Sequence, residues 1–198
     1  MSSRAAFIAG TAAFLLGAAG LSAAVFHLTS QNAPKTATQA SSVGGPFRLV
    51  DQNGAAVTEA DLKGKATLVF FGFTRCPDVC PTALYEITQA LAALGPDAAK
   101  AQALFVTVDP ERDTPEVMKA YLSAFAPQIR GLTGSLEAVQ AMTKEYRAYA
   151  KKAPTKTGDY TMDHTSIVYL MDRNGAFVAP LNLKRTPEEV AAEIRGYV

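Results

Sequence analysis

The chain has 198 residues, 48% of them hydrophobic, which suits one well-buried domain plus an extension. Its 19 basic and 18 acidic residues leave a formal net charge of +1, so there is no electrostatic case for nucleic acid. Two cysteines are too few for a disulfide-stapled scaffold, and their placement has to be read as chemistry or as coincidence.

In chain order, Arg4 is followed by an uncharged run, Ala5 to Phe26, "AAFIAGTAAFLLGAAGLSAAVF". As a helix it reaches about 33 Å, enough to cross a hydrocarbon core of about 30 Å. A cleaved signal peptide is the rival reading, with Ser22–Ala24 offering small residues to a protease. The run is longer than a usual signal core, which favours an uncleaved membrane anchor over residues 1–26. The positive end then stays inside and everything beyond Phe26 is exported, to a bacterial periplasm or the equivalent intermembrane space. His27, beside the membrane, reads as an interfacial residue. Residues 27–45, "HLTSQNAPKTATQASSVGG", lack apolar periodicity and read as a flexible tether. The globular domain is expected over 46–198.

Within it, "FRLVD" and "AAVTE" flank the turn signal "QNG", predicting an N-terminal β-hairpin. "ATLVFFGF" (66–73) and "ALFVTVD" (103–109) are continuous apolar runs, as expected of central strands buried on both faces. Between them a helix places Leu84, Ile87, Leu91 and Leu94 on one face. Further helices are predicted over 114–126, opened by Asp113 or Thr114, and over 135–152, with Tyr146, Tyr149 and the nearby lysines on a solvated face. A second hairpin, 165–172 and 176–181, and a helix from "TPEEVAAEIRGY" close the chain. This order predicts an α/β fold: a thioredoxin-like mixed sheet flanked by helices.

Both cysteines lie in "TRCPDVCPT", with Cys76 just past a buried strand and Cys80 four positions on. The strand's C-terminal edge is where α/β sheets collect chemistry, and helix N-terminal amides suit an anionic sulfur. Buried cysteines acting as small hydrophobes are the plain alternative, but Arg75, Pro77, Asp78 and Pro81 mark this segment as a loop. If the intervening residues make a helical turn, the sulfurs can bond to each other or share one soft metal. The spacing alone does not choose. His164, immediately before an apolar strand, stands where thioredoxin-like proteins place a cis-proline against the dithiol. Two thiolates and an imidazole suit Cu(I), and an added oxygen ligand suits Cu(II). A structural zinc would want a fourth ligand, for which Asp163 or Asp78 is available. Asp109, ending the second central strand, is a secondary candidate for a hydrogen bond near the metal loop or for docking. Asp113 reads as a helix cap. Asp78 either tunes the sulfurs or solvates the loop, and Met162 is a candidate weak neighbour of His164.

Together "TRCPDVCPT", "VTVDPERDTP" (106–115) and "DYTMDHTSIVYLMD" (159–172) resemble the Sco/SenC family, in the family's order and over about residues 46–198. The resemblance implies a membrane-tethered, thioredoxin-like copper-binding protein of cytochrome c oxidase assembly. It implies Cys76, Cys80 and His164 as copper ligands and the binuclear copper site of the oxidase subunit as acceptor. Another copper chaperone or a thiol reductant would be a further partner. In this picture there is no catalytic turnover. The competing expectation is a thiol–disulfide oxidoreductase, with Cys76 attacking and Cys80 resolving. A thiol peroxidase is a third, with no evident use for His164.

Overall fold

The first turn is built by one side chain. Asp51 accepts the backbone N–H groups of Asn53 at 2.9 Å and Ala55 at 3.0 Å, while Gly54 takes φ 81°, open to glycine. The turn joins strands β1 (Arg48–Asp51) and β2 (Ala56–Thr58), which pair antiparallel. These belong to a computed structural model that describes residues 43–156 and 158–198, within one compact unit, Ser41–Val198. The expected anchor and most of the expected tether lie outside the described residues. Among the described residues no helix is long and apolar enough to cross a membrane.

Strands β3 (Ala66–Gly72) and β4 (Ala101–Thr107) are buried at every position, as strands covered on both faces should be. They pair in parallel without interruption from Ala66↔Ala101 to Gly72↔Thr107. The crossover between them is helix α1 (Val79–Ala93). It buries Cys80, Ala83, Leu84, Ile87, Ala90 and Leu91, the three-and-four spacing of one helical face. Helix α2 (Pro115–Leu122) opens on Thr114, whose side chain accepts the Val117 N–H. It stops short of the expected end at 126, and Pro127 ends that segment before β5 (Ile129–Thr133). β5 runs parallel to β4 and antiparallel to β1. It was not expected, because Arg130 and Gly131 break its apolar pattern.

The predicted helix over 135–152 is corrected. Helix α3 (Leu136–Glu145) ends seven residues earlier, Arg147 takes φ 52°, and Ala150–Pro154 is strand β6. β6 pairs antiparallel with β7 (Tyr160–His164), from Ala150↔His164 to Pro154↔Tyr160, as a separate two-stranded sheet. Tyr146, read from the sequence as solvated, is the C-cap of α3. Its side chain is fully buried, edge-on to Phe71 at 5.5 Å and to Tyr169 at 5.8 Å. Next to it, left-handed Arg147 turns the chain out of the helix, the Ala148 N–H returning to the Thr143 carbonyl at 2.9 Å, and "AKKAP" gains a strand partner. Tyr149 is exposed, as expected.

Strands β8 (Val168–Met171) and β9 (Phe177–Leu181) pair antiparallel, and β8 lies antiparallel against β3. Helix α4 (Pro187–Arg195) begins with a reciprocal cap between Thr186 and Glu189 and packs on α1. The main sheet therefore runs β2-β1-β5-β4-β3-β8-β9, a mixed sheet with helices packed on it. This is the thioredoxin-like arrangement the element order implied. β3 and β4 lie at its centre, and both end at the same edge.

Replacing Tyr146 by alanine should remove about 3–5 kcal/mol of stability, the range for deleting a large buried aromatic. Urea unfolding measures this. A loss below about 0.5 kcal/mol would fit a surface position and contradict the packing.

Candidate metal centre

Past Gly72 the chain turns sharply, the Cys76 N–H returning to the Phe73 carbonyl at 3.3 Å. Cys76 is half-buried in this loop; Cys80, inside the first turn of α1, is fully buried. Asp78 occupies the N-cap position of α1, yet its side chain makes no capping bond and is exposed. The Cys76 Sγ does that work instead, accepting the Cys80 backbone N–H at 3.4 Å.

His164 arrives from the end of β7. Its Nδ1 lies 3.0 Å from the Thr165 carbonyl, which can only accept, so the ring proton sits on Nδ1. The lone pair of Nε2 then faces the Cys80 Sγ, 3.6 Å away. Phe73 and Phe70 stand edge-on to the imidazole at 5.7 and 6.4 Å and fix its plane. Sγ of Cys76, Sγ of Cys80 and one nitrogen of His164 all lie within 4.8 Å of one another. Among the described residues this is the one group of His, Cys, Asp and Glu side chains close enough to hold a metal ion.

The donor set is soft, two sulfurs and one imidazole, with its second imidazole nitrogen hydrogen-bonded as ligating histidines usually are. Neither Asp78 nor Asp163 joins it, so the fourth ligand a structural zinc would want is not supplied from those positions. Burial pushes the Cys80 thiol well up, and the nearby Cys76 sulfur and Asp113 carboxyl add to that, against a backbone bond at Phe73. Both cysteines are free thiols in this structure. Their proximity serves either a shared metal or a disulfide.

The secondary candidates separate. Asp109 is buried and engaged elsewhere, accepting the Tyr160 hydroxyl at 2.9 Å and the Arg112 guanidinium. Asp113, read as a helix cap, is displaced from that role by Thr114. It is fully buried and accepts the Thr74 N–H at 3.0 Å, the Thr74 hydroxyl at 2.6 Å and the Thr107 hydroxyl at 2.7 Å. Met162 is buried on the same face of β7 as His164. Sequence reasoning missed Thr74 and Gly72. A Cβ on Gly72 would stand 2.8 Å from the Cys80 Sγ and 2.5 Å from the Phe105 ring, so only glycine lets the buried sulfur sit against β3.

The SCO1/SenC family model matches residues 35–198 of this chain. Among curated proteins, a SCO2-like protein of Rickettsia felis is 37% identical over 156 residues, covering 78% of this chain and 76% of its own length. Mitochondrial SCO1 of Saccharomyces cerevisiae is 42% identical over 164 residues, covering 79% of this chain, which spans 56% of the yeast protein. Among solved structures, Bradyrhizobium japonicum ScoI with copper bound is 61% identical with a TM-score of 0.76, covering 79% of this chain and 99% of that one.

Gly72→Ala should push the Cys80 sulfur or the Phe105 ring aside, costing about 1–3 kcal/mol as other overpacked cores do. Chemical denaturation reads the loss, and alkylation of Cys80 in the metal-free protein should quicken. Wild-type stability and alkylation rate would show that the close approach does not constrain the site.

Proposed function

The chain belongs to the SCO1/SenC family, and from that premise we propose that it is an exported copper metallochaperone. Cys76, Cys80 and His164 hold the copper, which is cargo for the binuclear site of cytochrome c oxidase. The observation that carries this reading is the convergence of two sulfurs and an imidazole nitrogen within 4.8 Å. The Nε2 lone pair is already aimed at the buried sulfur.

The residues divide the work of holding and giving up the ion. Cys80 supplies a donor from the protein interior, fixed by the helix, and the half-buried His164 supplies one from a ring held edge-on by Phe73 and Phe70. Cys76 is half-exposed, so an incoming donor from an acceptor protein meets the site on that side. Ligand exchange can then proceed without opening the core. The uncharged run Ala5–Phe26 anchors the domain to a membrane, and residues 27–45 tether it. Partners follow from this chemistry: the copper-bearing oxidase subunit, and a copper donor or a thiol reductant upstream.

A second reading keeps the same dithiol as a thiol–disulfide switch, favoured by the unequal exposure of the two sulfurs. The half-exposed Cys76 would attack a partner disulfide, forming a mixed disulfide and releasing one partner thiolate. The buried Cys80 would then attack Cys76 and release the second. Oxidation closes the pair and removes both sulfurs from the metal, so the switch gates the clamp.

The reduced full chain in detergent should bind one Cu(I) tightly. His164→Ala should weaken binding by about a hundredfold or more, the upper end of what even outer contacts to a metal cost. Competition titration measures this, and unchanged affinity in His164→Ala would overturn the assignment. The affinity of the wild type should also fall as pH falls. The Cys80 thiol, held up by burial, is protonated in the free protein and must release its proton to copper. Each proton so displaced costs about tenfold in apparent affinity per unit of pH. An affinity flat between pH 8 and 6 would rule out thiolate ligation by Cys80.

A further inference from the structure

The segment "DPERD", Asp109–Asp113, belongs to one of the motifs that mark the family, yet it contributes no atom to the sulfur–imidazole group. It leaves β4 directly beside the metal loop, because Gly72 and Thr107 are paired at the ends of their strands. Its two ends reach in different directions.

Asp113 reaches the cysteine side. Its buried carboxyl group accepts three hydrogen bonds, two of them from Thr74, two residues before Cys76. Thr74 begins the loop that carries both sulfurs, and this carboxyl ties it to β4 through the Thr107 hydroxyl. From the other side the Thr133 hydroxyl donates to the Asp113 carbonyl at 2.8 Å, fixing the residue to β5 as well. No cation pairs with this carboxyl among the described residues. Its bonds go to the metal loop and to the strand beside it.

Arg112 reaches the histidine side. Its guanidinium bonds Asp109 and lies 3.7 Å from the centroid of the Tyr160 ring. The same group donates to the Tyr160 carbonyl at 3.0 Å, and the Tyr160 hydroxyl returns to Asp109 at 2.9 Å. Tyr160 opens β7, and His164 closes it. Lys152 on β6 adds an ion pair to Glu111 at 2.7 Å. One terminal nitrogen of Arg112 is buried without a partner, a cost that only the remaining bonds of the clasp offset. The β6–β7 hairpin shares no ladder with the main sheet, so these side-chain bonds take the place of strand pairing.

We propose that the turn Asp109–Asp113 is a two-armed bracket that sets the distance between the imidazole and the sulfur pair. Asp113 holds the metal loop, and Arg112 with Asp109 holds the hairpin bearing His164. All three are positioning residues, and the proposal rests on the copper reading only for its metal-bound readout.

Hydrogen exchange of the metal-free full chain separates the arms. Asp113→Ala should speed exchange at the Thr74 amide and leave the 150–164 hairpin near wild type. Arg112→Gln should do the reverse. The milder Thr74→Ala and Tyr160→Phe variants, each removing one hydroxyl, should give the same pattern at smaller amplitude if the first pair fold poorly. Exchange raised evenly over the domain, or raised in neither segment, would overturn the bracket.

In the copper form, Arg112→Gln should weaken Cu(I) by about 10–100-fold and remove nitrogen coupling from the Cu(II) resonance spectrum. In a His164→Ala background the same substitution should cost nothing further, whereas Asp113→Ala should still cost. An equal loss for Arg112→Gln in both backgrounds would show general destabilisation and defeat the histidine arm. Failure of the wild type to bind copper would sink the copper reading, and the exchange pattern would still decide the bracket.

Discussion

Everything at the metal centre depends on the parallel register of β3 and β4. Seven consecutive pairs hold it, from Ala66↔Ala101 to Gly72↔Thr107. Because both strands are buried on both faces, a slip by one residue would turn every side chain to the opposite layer. The register delivers two loops to one edge of the sheet side by side. One carries Cys76 and leads into the helix turn that holds Cys80; the other carries Asp109, Arg112 and Asp113. The Val108 N–H bonds the Gly72 carbonyl at 2.8 Å, so the strands stay joined up to the point where the loops begin. Gly72 then lets the Cys80 sulfur settle directly on the strand end.

Within that frame the two sulfurs are unequal, and their inequality suits both chemistries assigned to them. Cys80 is fully buried, and burial disfavours its ionised form until something positive arrives. Cys76 is half-exposed, and its sulfur caps α1 by accepting the Cys80 N–H. A metal ion offers compensation to the buried sulfur when it ionises; a disulfide leaves no sulfur to ionise. The imidazole shifts the balance towards metal, because a disulfide has no bonding use for an Nε2 lone pair directed at its sulfur.

What could be read from the sequence follows from how locally each feature is determined. The apolar runs of β3 and β4 are local, as are the cysteine spacing and the placement of His164 before an apolar strand. The end of α3 is not. "EYRAYAKK" is rich in helix formers, yet the chain turns out of the helix at Arg147, next to a Tyr146 ring packed on Phe71 and Tyr169 far along the chain. β6 is a strand only because "YTMDH" lies beside it, and its two adjacent exposed lysines fit a solvated helix equally well. Asp113 looked like a cap because it precedes Thr114-Pro115, a sound local signal. Its actual partner, Thr74, lies 39 residues away. Buried polar pairs of this kind leave no periodicity. Only the fold brings them together.

The separateness of the β6–β7 hairpin has a further consequence in coordination terms. The dithiol is a chelating unit within one rigid loop and helix, whereas the imidazole is a single donor on an element with its own two-stranded sheet. Denticity can therefore fall from three to two by a small displacement of the hairpin, with the seven-stranded sheet untouched. In the proposed copper form the seating of that hairpin would govern the lability of the ion, and the sulfurs its selectivity. In the proposed carrier these two quantities would be adjustable apart, because the dithiol stands on a loop and helix and the imidazole on a separate hairpin.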